Sequence, residues 1–152
     1  MPAASAAPSS PPCACGRLRR AARALTQLYD DVMAPAGLRV TQFSLLRTLV
    51  RTGPTRITEL AAAQLLDRTA LSRNLDPLVE RGLVSVAPGR DARTREAAIT
   101  AAGRKALQAA EPYWKAAQAR VAKRLAPGQL DALIATLGEL ESLHPQPAAR
   151  RA

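Results

Sequence analysis

Residues 67–99 read DRTALSRNLDPLVERGLVSVAPGRDARTREAAI, and the period of the apolar residues changes within that stretch. From Asp67 to Gly82 the pattern is helical, with Asp67 a good N-cap and Gly82 a good residue just past the C-terminus. At 100° per residue, Leu71, Leu75, Leu78 and Val79 share an arc of about 100°, the face expected to be buried. Arg68, Thr69, Ser72, Arg73 and Asp76 occupy an adjoining arc of about 140°. Short hydroxyls and guanidiniums are the groups that reach base edges and phosphates in a major groove, although an ordinary solvated face has a similar composition. Pro77 lacks an N–H and its ring crowds the Arg73 carbonyl, so a kink after Arg73 is expected. From Leu83 the period becomes alternating. Leu83 to Ala87 reads as a strand, Pro88-Gly89 turns the chain, and Ala97 to Ile99 reads as a weak return strand. Three arginines, Arg90, Arg93 and Arg95, fall in the six residues between them, which packing alone hardly explains.

Working outward, Leu18, Ala21, Ala22, Leu25, Leu28, Tyr29 and Val32 recur at three- and four-residue steps, predicting a helix from about Gly16 to Ala34 that Pro35 and Gly37 stop. Phe43, Leu45, Leu46, Leu49 and Val50 predict a second helix, with Thr41 as its N-cap and Gly53-Pro54 as its end. A short third helix opens near Ile57-Thr58. On the far side, Thr100 caps a long helix to about Leu125 that carries Pro112 inside its pattern. Pro127-Gly128 breaks it, and a last helix from Gln129 to Leu143 presents Leu130, Leu133, Ile134, Leu137 and Leu140 on one face. Residues 1–12 are Ala, Pro and Ser without pattern and read as a disordered arm; the tail at 145–152 reads the same way. One domain over 13–144 is expected.

The 152 residues carry 22 Lys+Arg against 12 Asp+Glu, a formal +10. A surplus of that size points to a polyanion, nucleic acid before an anionic membrane. No window approaches the ~20 apolar residues that span a bilayer, and the N-terminus lacks the basic start and apolar stretch of a secretory signal. Cys13 and Cys15 sit outside any expected core and form no disulfide framework, so a cytoplasmic protein with reduced thiols is expected. One histidine, no Gly-rich phosphate loop and no paired carboxylates at helical spacing argue against an enzyme, and no cofactor is implied.

Helices followed by a two-stranded wing describe a winged helix-turn-helix, mainly α with a small β wing. The order and the residues resemble the MarR family of bacterial regulators from Gly16 to Leu143. The match is carried by Ile57-Thr58-Glu59-Leu60-Ala61, Asp67-Arg68-Thr69-Ala70-Leu71-Ser72-Arg73, Leu78-Val79-Glu80-Arg81-Gly82-Leu83-Val84, Asp91-Ala92-Arg93-Thr94-Arg95 and Ile99-Thr100-Ala101-Ala102-Gly103. The resemblance implies a winged-helix core at about 40–100 and a homodimer formed by helices at about 16–34 and 100–143. It implies a pseudo-palindromic double-stranded DNA operator, with the helix that starts at Asp67 in the major groove of each half-site. Arg68, Thr69, Ser72 and Arg73 are then the base and phosphate contacts. Arg93, oriented by Asp91, is the minor-groove arginine, and Arg90 and Arg95 are phosphate contacts.

A repressor of this kind needs an input, and two are open. A small anionic or phenolic ligand would fit a cleft between the dimer helices and the DNA-binding lobe, lined by Phe43, Trp114 and arginines, though these residues also suit plain core and surface. The other input is oxidation. Cys15 lies near the start of the first helix beside Arg17, Arg19 and Arg20, and thiols at helix N-termini among cations are the reactive ones. Here the chain is similar to the peroxide-sensing OhrR branch, which has its cysteine at this position and a tyrosine fourteen residues on, as Tyr29 is. Two further tyrosines of that site are replaced by Arg19 and Val40. Cys13 is a candidate resolving thiol, although one intervening residue strains an intramolecular disulfide; two incidental thiols remain an alternative. His144, far away in sequence, does not complete a zinc site with them. Three function classes stay open: a sequence-specific regulator, a sequence-indifferent nucleoid-type DNA-binding protein, and a winged helix used only for protein contacts.

Overall fold

The computed structural model describes residues 12–91 and 93–144. The expected arm, apart from Pro12, and the expected tail lie outside the described residues, as does Ala92.

Local signals set most element ends. Helix α1 (Ala14–Met33) starts from Cys13, whose Sγ accepts from the Gly16 N–H at 3.5 Å, slightly ahead of the expected start. A short 3-10 turn, Ala34–Ala36, leads to Gly37 at φ 66. Helix α2 (Val40–Thr52) is capped by Arg39 and not by Thr41, because the Gln42 side chain accepts from the Arg39 N–H at 3.1 Å. Helix α3 (Ile57–Ala63) is short, and α4 (Arg68–Glu80) starts at Asp67, whose Oδ1 accepts from the Ala70 N–H at 2.8 Å. Helix α4 continues unbroken through Pro77, and its hydrogen bonds resume at once, from Arg81 N–H to Pro77 O at 3.2 Å. Arg73, whose carbonyl loses its partner to Pro77, lies on the exposed face where solvent can satisfy it. Helices α5 (Ala101–Ala122) and α6 (Gln129–Glu141) complete the chain.

The wing strands are β2 (Val84–Pro88) and β3 (Arg95–Ile99), antiparallel with Val84 opposite Ile99 and Pro88 opposite Arg95. The return strand is longer than expected, so Arg95 belongs to β3 rather than to the tip. A third strand, β1 (Thr55–Arg56), covers the other edge of β3 and gives the order β1-β3-β2. Two residues show no alternation, which is why the sequence does not announce it. The fold is the expected winged helix-turn-helix with one strand added.

The core gathers α2, α3, α4 and the wing. Phe43, Leu46, Leu49, Leu60, Leu71 and Leu78 are each at most 1% exposed, and Val84 and Ala97 cover them from the sheet. Burying a side chain of this size contributes about 1.5–3 kcal/mol, so this cluster holds α2, α3, α4 and the wing together. Ala110 and Ala117 are fully buried on α5, where small side chains let helices approach closely. The two ends of the chain differ. Leu18 and Leu25 of α1 stay exposed, α6 buries no residue, and Ile134 is 52% exposed. No described helix is long and apolar enough to cross a membrane.

The start of α5 is fastened to the turn after α4. Thr100 N–H donates to Leu83 O at 3.0 Å, its hydroxyl donates to Gly82 O at 2.7 Å, and that same hydroxyl accepts from Gly103 N–H at 3.0 Å. A Cβ on Gly103 would overlap the Leu83 carbonyl oxygen. Gly103→Ala should therefore lower stability by about 1–3 kcal/mol, read as a shift of the urea midpoint; an unchanged midpoint would refute the close approach.

Candidate nucleic-acid interface

A groove of about 470 Å³ runs between α4 and the wing. Its walls combine Arg68, Ser72 and Asp76 from α4, Arg93 and Arg95 from the wing, and Arg56 and Thr58 from β1 and α3. The structure thus brings together four of the eight DNA-contact candidates, Arg68, Ser72, Arg93 and Arg95. Thr69 and Arg73 are exposed on α4 outside the groove, and Arg90 and Asp91 are exposed at the wing tip. The leucines of the adjoining α4 arc are buried, with Leu75 at 4% exposure. Burial of one arc thereby leaves the hydroxyl and guanidinium arc facing solvent.

Arg56 and Thr58 were not among the sequence candidates. Arg56 reaches the groove because β1 adds to the edge of β3, opposite Glu96. Its guanidinium is 3.7 Å from Glu59, an exposed pair, so it is held only loosely. The sequence signal, a lone arginine ahead of Ile57-Thr58, has no weight without that strand.

The wing is shaped by its own backbone. Gly89 N–H donates to Thr94 O and Thr94 N–H to Asp91 O, both at 2.8 Å. Asp91 Oδ1 accepts from the Arg93 N–H at 3.0 Å, so the carboxylate braces the backbone of the tip rather than the guanidinium. Among the described residues, Arg68, Arg73, Arg90, Arg93 and Arg95 form no ion pair. Their charge is available to an external anion, and no carboxylate has to be displaced first.

The MarR family model matches residues 36–94, the span holding α2 to the wing tip. The transcriptional regulator MosR of M. tuberculosis, in a crystal structure with DNA, is 41% identical; the alignment covers 88% of this chain and 100% of that one, with a TM-score of 0.75. The chain belongs to the MarR family. A MarR-family regulator from Rhodococcus sp. RHA1 is 25% identical over 82% of this chain and 89% of that one, with a TM-score of 0.74. The repressor CouR, from Rhodococcus jostii RHA1, bound to a 23-mer DNA duplex, is 26% identical over 84% and 92%, with a TM-score of 0.76. No curated protein matches the chain.

This MarR-family chain has a second cleft, of about 670 Å³, where α1, α2 and α5 meet. Phe43 and Trp114 stack there with ring centroids 5.7 Å apart, and the Arg47 guanidinium lies 4.8 Å from the Trp114 centroid. Arg51, Ser44 and Thr48 also line it, as does one acid, Glu111, which is paired with Lys115 at 3.8 Å. The aromatic pair and arginines that the sequence could not tell from core and surface therefore form one site. Tyr29 also lines it and donates to Gln118 Oε1 of α5.

Cys13 and Cys15 are both exposed and free of disulfides. Cys13 is the helix cap and Cys15 lies in the first turn of α1. Tyr29 belongs to the same helix fourteen residues on, roughly 21 Å along its axis at 1.5 Å per residue. The structure does not bring Tyr29 to the thiols within one chain.

Burial raises the Tyr29 phenol above its ordinary value of 10.0. A raised acid favours its neutral form in the folded state, so its contribution to stability is present below pH 10 and lost as pH rises through the folded value. In Tyr113→Phe, which leaves Tyr29 as the sole tyrosine, ultraviolet titration should give a midpoint above 10.0. A midpoint at or below that value would show an exposed phenol.

Proposed function

We propose that the chain is a homodimeric, sequence-specific regulator that binds double-stranded DNA, acts as a repressor in the cytoplasm, and is not an enzyme. One observation carries this reading: the groove joins unpaired arginines of the recognition helix and of the wing on one surface. DNA-bound MosR and CouR supply the precedent. In the proposed complex α4 enters the major groove, and Arg68, Thr69, Ser72 and Arg73 meet bases and phosphates. Arg93 enters the minor groove, while Arg90, Arg95 and Arg56 meet phosphates.

The dimer is supported by what one chain leaves uncovered. Leu18 and Leu25 on α1 and Leu133, Ile134 and Leu140 on α6 are exposed. The first half of α1 carries Arg17, Arg19, Arg20 and Arg23 with no acid, whereas α6 carries Asp131, Glu139 and Glu141 with no base. Apolar faces with opposite charges suit each other across a two-fold axis. A pseudo-palindromic operator follows from that symmetry.

The cleft at Phe43, Arg47 and Trp114 suits a small aromatic anion, which would stack on the rings and pair with the guanidiniums. The second proposed input is oxidation at Cys15, with Cys13 as resolving thiol. Oxidation of Cys13 would also remove the acceptor that caps α1.

A gel-shift titration against the gene's own upstream DNA, with excess random competitor, tests the reading. A competitor-resistant shift is expected, and loss of all preference would leave a sequence-indifferent DNA-binding protein in its place. Peroxide should abolish the shift and thiol reductant restore it; an indifferent shift would remove both cysteines from the input. Arg93→Ala should weaken binding by about 1–3 kcal/mol without loss of fold. Ser72→Ala with Arg73→Ala should reduce discrimination between operator and random DNA, and an equal fall on both would reassign these residues to phosphate contact.

A further inference from the structure

One side chain ties the wall of the aromatic cleft to the turn that precedes α4. Gln64 ends α3, and its carboxamide crosses to α2. Its Nε2 donates to Thr48 Oγ1 at 2.8 Å, and Ser44 Oγ donates to its Oε1 at 3.4 Å. Thr48 is 5% exposed, one of two buried polar residues among those described. Both Ser44 and Thr48 line the aromatic cleft beside Phe43 and Arg47. Gln64 therefore binds to the back of the cleft wall.

On its other side Gln64 leads directly into the turn before the recognition helix. Leu65 has φ +50, the only non-glycine in the left-handed region among the described residues. Residues with a Cβ rarely adopt that conformation. The Leu65 side chain is 46% exposed, so packing gives it little hold. The backbone around it is held by its flanks, through Leu65 N–H to Ala62 O at 3.0 Å, Leu66 N–H to Ala61 O at 2.9 Å, and the Gln64 carboxamide. Asp67, which caps α4, follows two residues after Leu65.

We propose that Gln64 is a positioning residue that couples the aromatic cleft to the recognition helix. The Ser44 and Thr48 hydroxyls hold Gln64, Gln64 holds the left-handed turn, and the turn sets where α4 begins relative to the wing. A ligand in the cleft whose polar group takes the Thr48 hydroxyl releases Gln64, and the start of α4 loosens. The proposal rests on the reading of the chain as a DNA-binding regulator. It adds the residue through which an occupied cleft is felt at the groove.

The test compares wild type with Gln64→Leu, Thr48→Val and Thr48→Ser in the full chain. Thr48→Val removes the hydroxyl that a ligand would capture, whereas Thr48→Ser keeps it. Amide hydrogen exchange over residues 65–71 should be about fivefold or more faster in Gln64→Leu and Thr48→Val, and as in wild type for Thr48→Ser. Exchange in β2 and β3 should stay unchanged. Preference for the upstream duplex over a random duplex should fall about tenfold in the first two variants and be kept in the third. Wild-type exchange at 65–71 in Gln64→Leu, or faster exchange spread evenly over the whole fold, would overturn the proposal. So would a fully kept duplex preference in that variant. Lack of any preference in wild type would instead sink the regulator reading, and the exchange comparison would still decide the tether.

Discussion

The Leu83 carbonyl is the joint on which the arrangement depends. It accepts the Thr100 N–H at 3.0 Å and sits against Gly103, where any side chain would collide with it. The turn after α4 and the start of α5 are therefore fastened into one corner. Leu83 and Gly103 are buried there, and a buried carbonyl is costly to leave without a donor. The wing strands run out from this corner and α5 runs away from it, so a change in one lobe has a defined point at which to act on the other.

From that corner the interface follows by simple packing. Leucines on one arc of α4 enter the core under α2 and the sheet, and the adjoining arc is left to solvent with its arginines and hydroxyls. The wing folds back beside it because Gly89, Asp91 and Thr94 close the tip by short hydrogen bonds. Arginines on two separate elements then face one groove. A single helix carrying the same charges would read as a solvated face; the pairing of helix and wing gives one groove arginines on both walls.

Helix α2 lines the aromatic cleft and also packs against α4. Phe43 is at once core, cleft wall and stacking partner of Trp114. The polar residues of α2 alternate with these apolar ones, so Ser44 and Thr48 look toward the cleft and toward Gln64 together. Charge has been distributed with the same division of labour. Basic residues dominate the groove and α1, and acidic ones gather on α6.

Much of this was legible in the residues because the signals are local. Asp67 and Gly82 bound α4 through capping and left-handed freedom, and the change of apolar period after Gly82 marks the wing. The eight contact candidates follow from the arcs and the tip, together with the family resemblance. What stayed hidden depends on contacts between distant segments. Strand β1 is too short to show a period, so Arg56 and Thr58 gained their place in the groove only when β1 joined β3. Pro77 leaves only an exposed carbonyl without its partner, and α4 continues through it. The tether from Thr48 to Gln64 spans sixteen residues, and the left-handed Leu65 has no glycine to announce it. Periodicity and caps determine which elements form, since they act within a few residues. Which side chains share a groove or a cleft is decided by the tertiary fold, because the chain has to close before those residues meet.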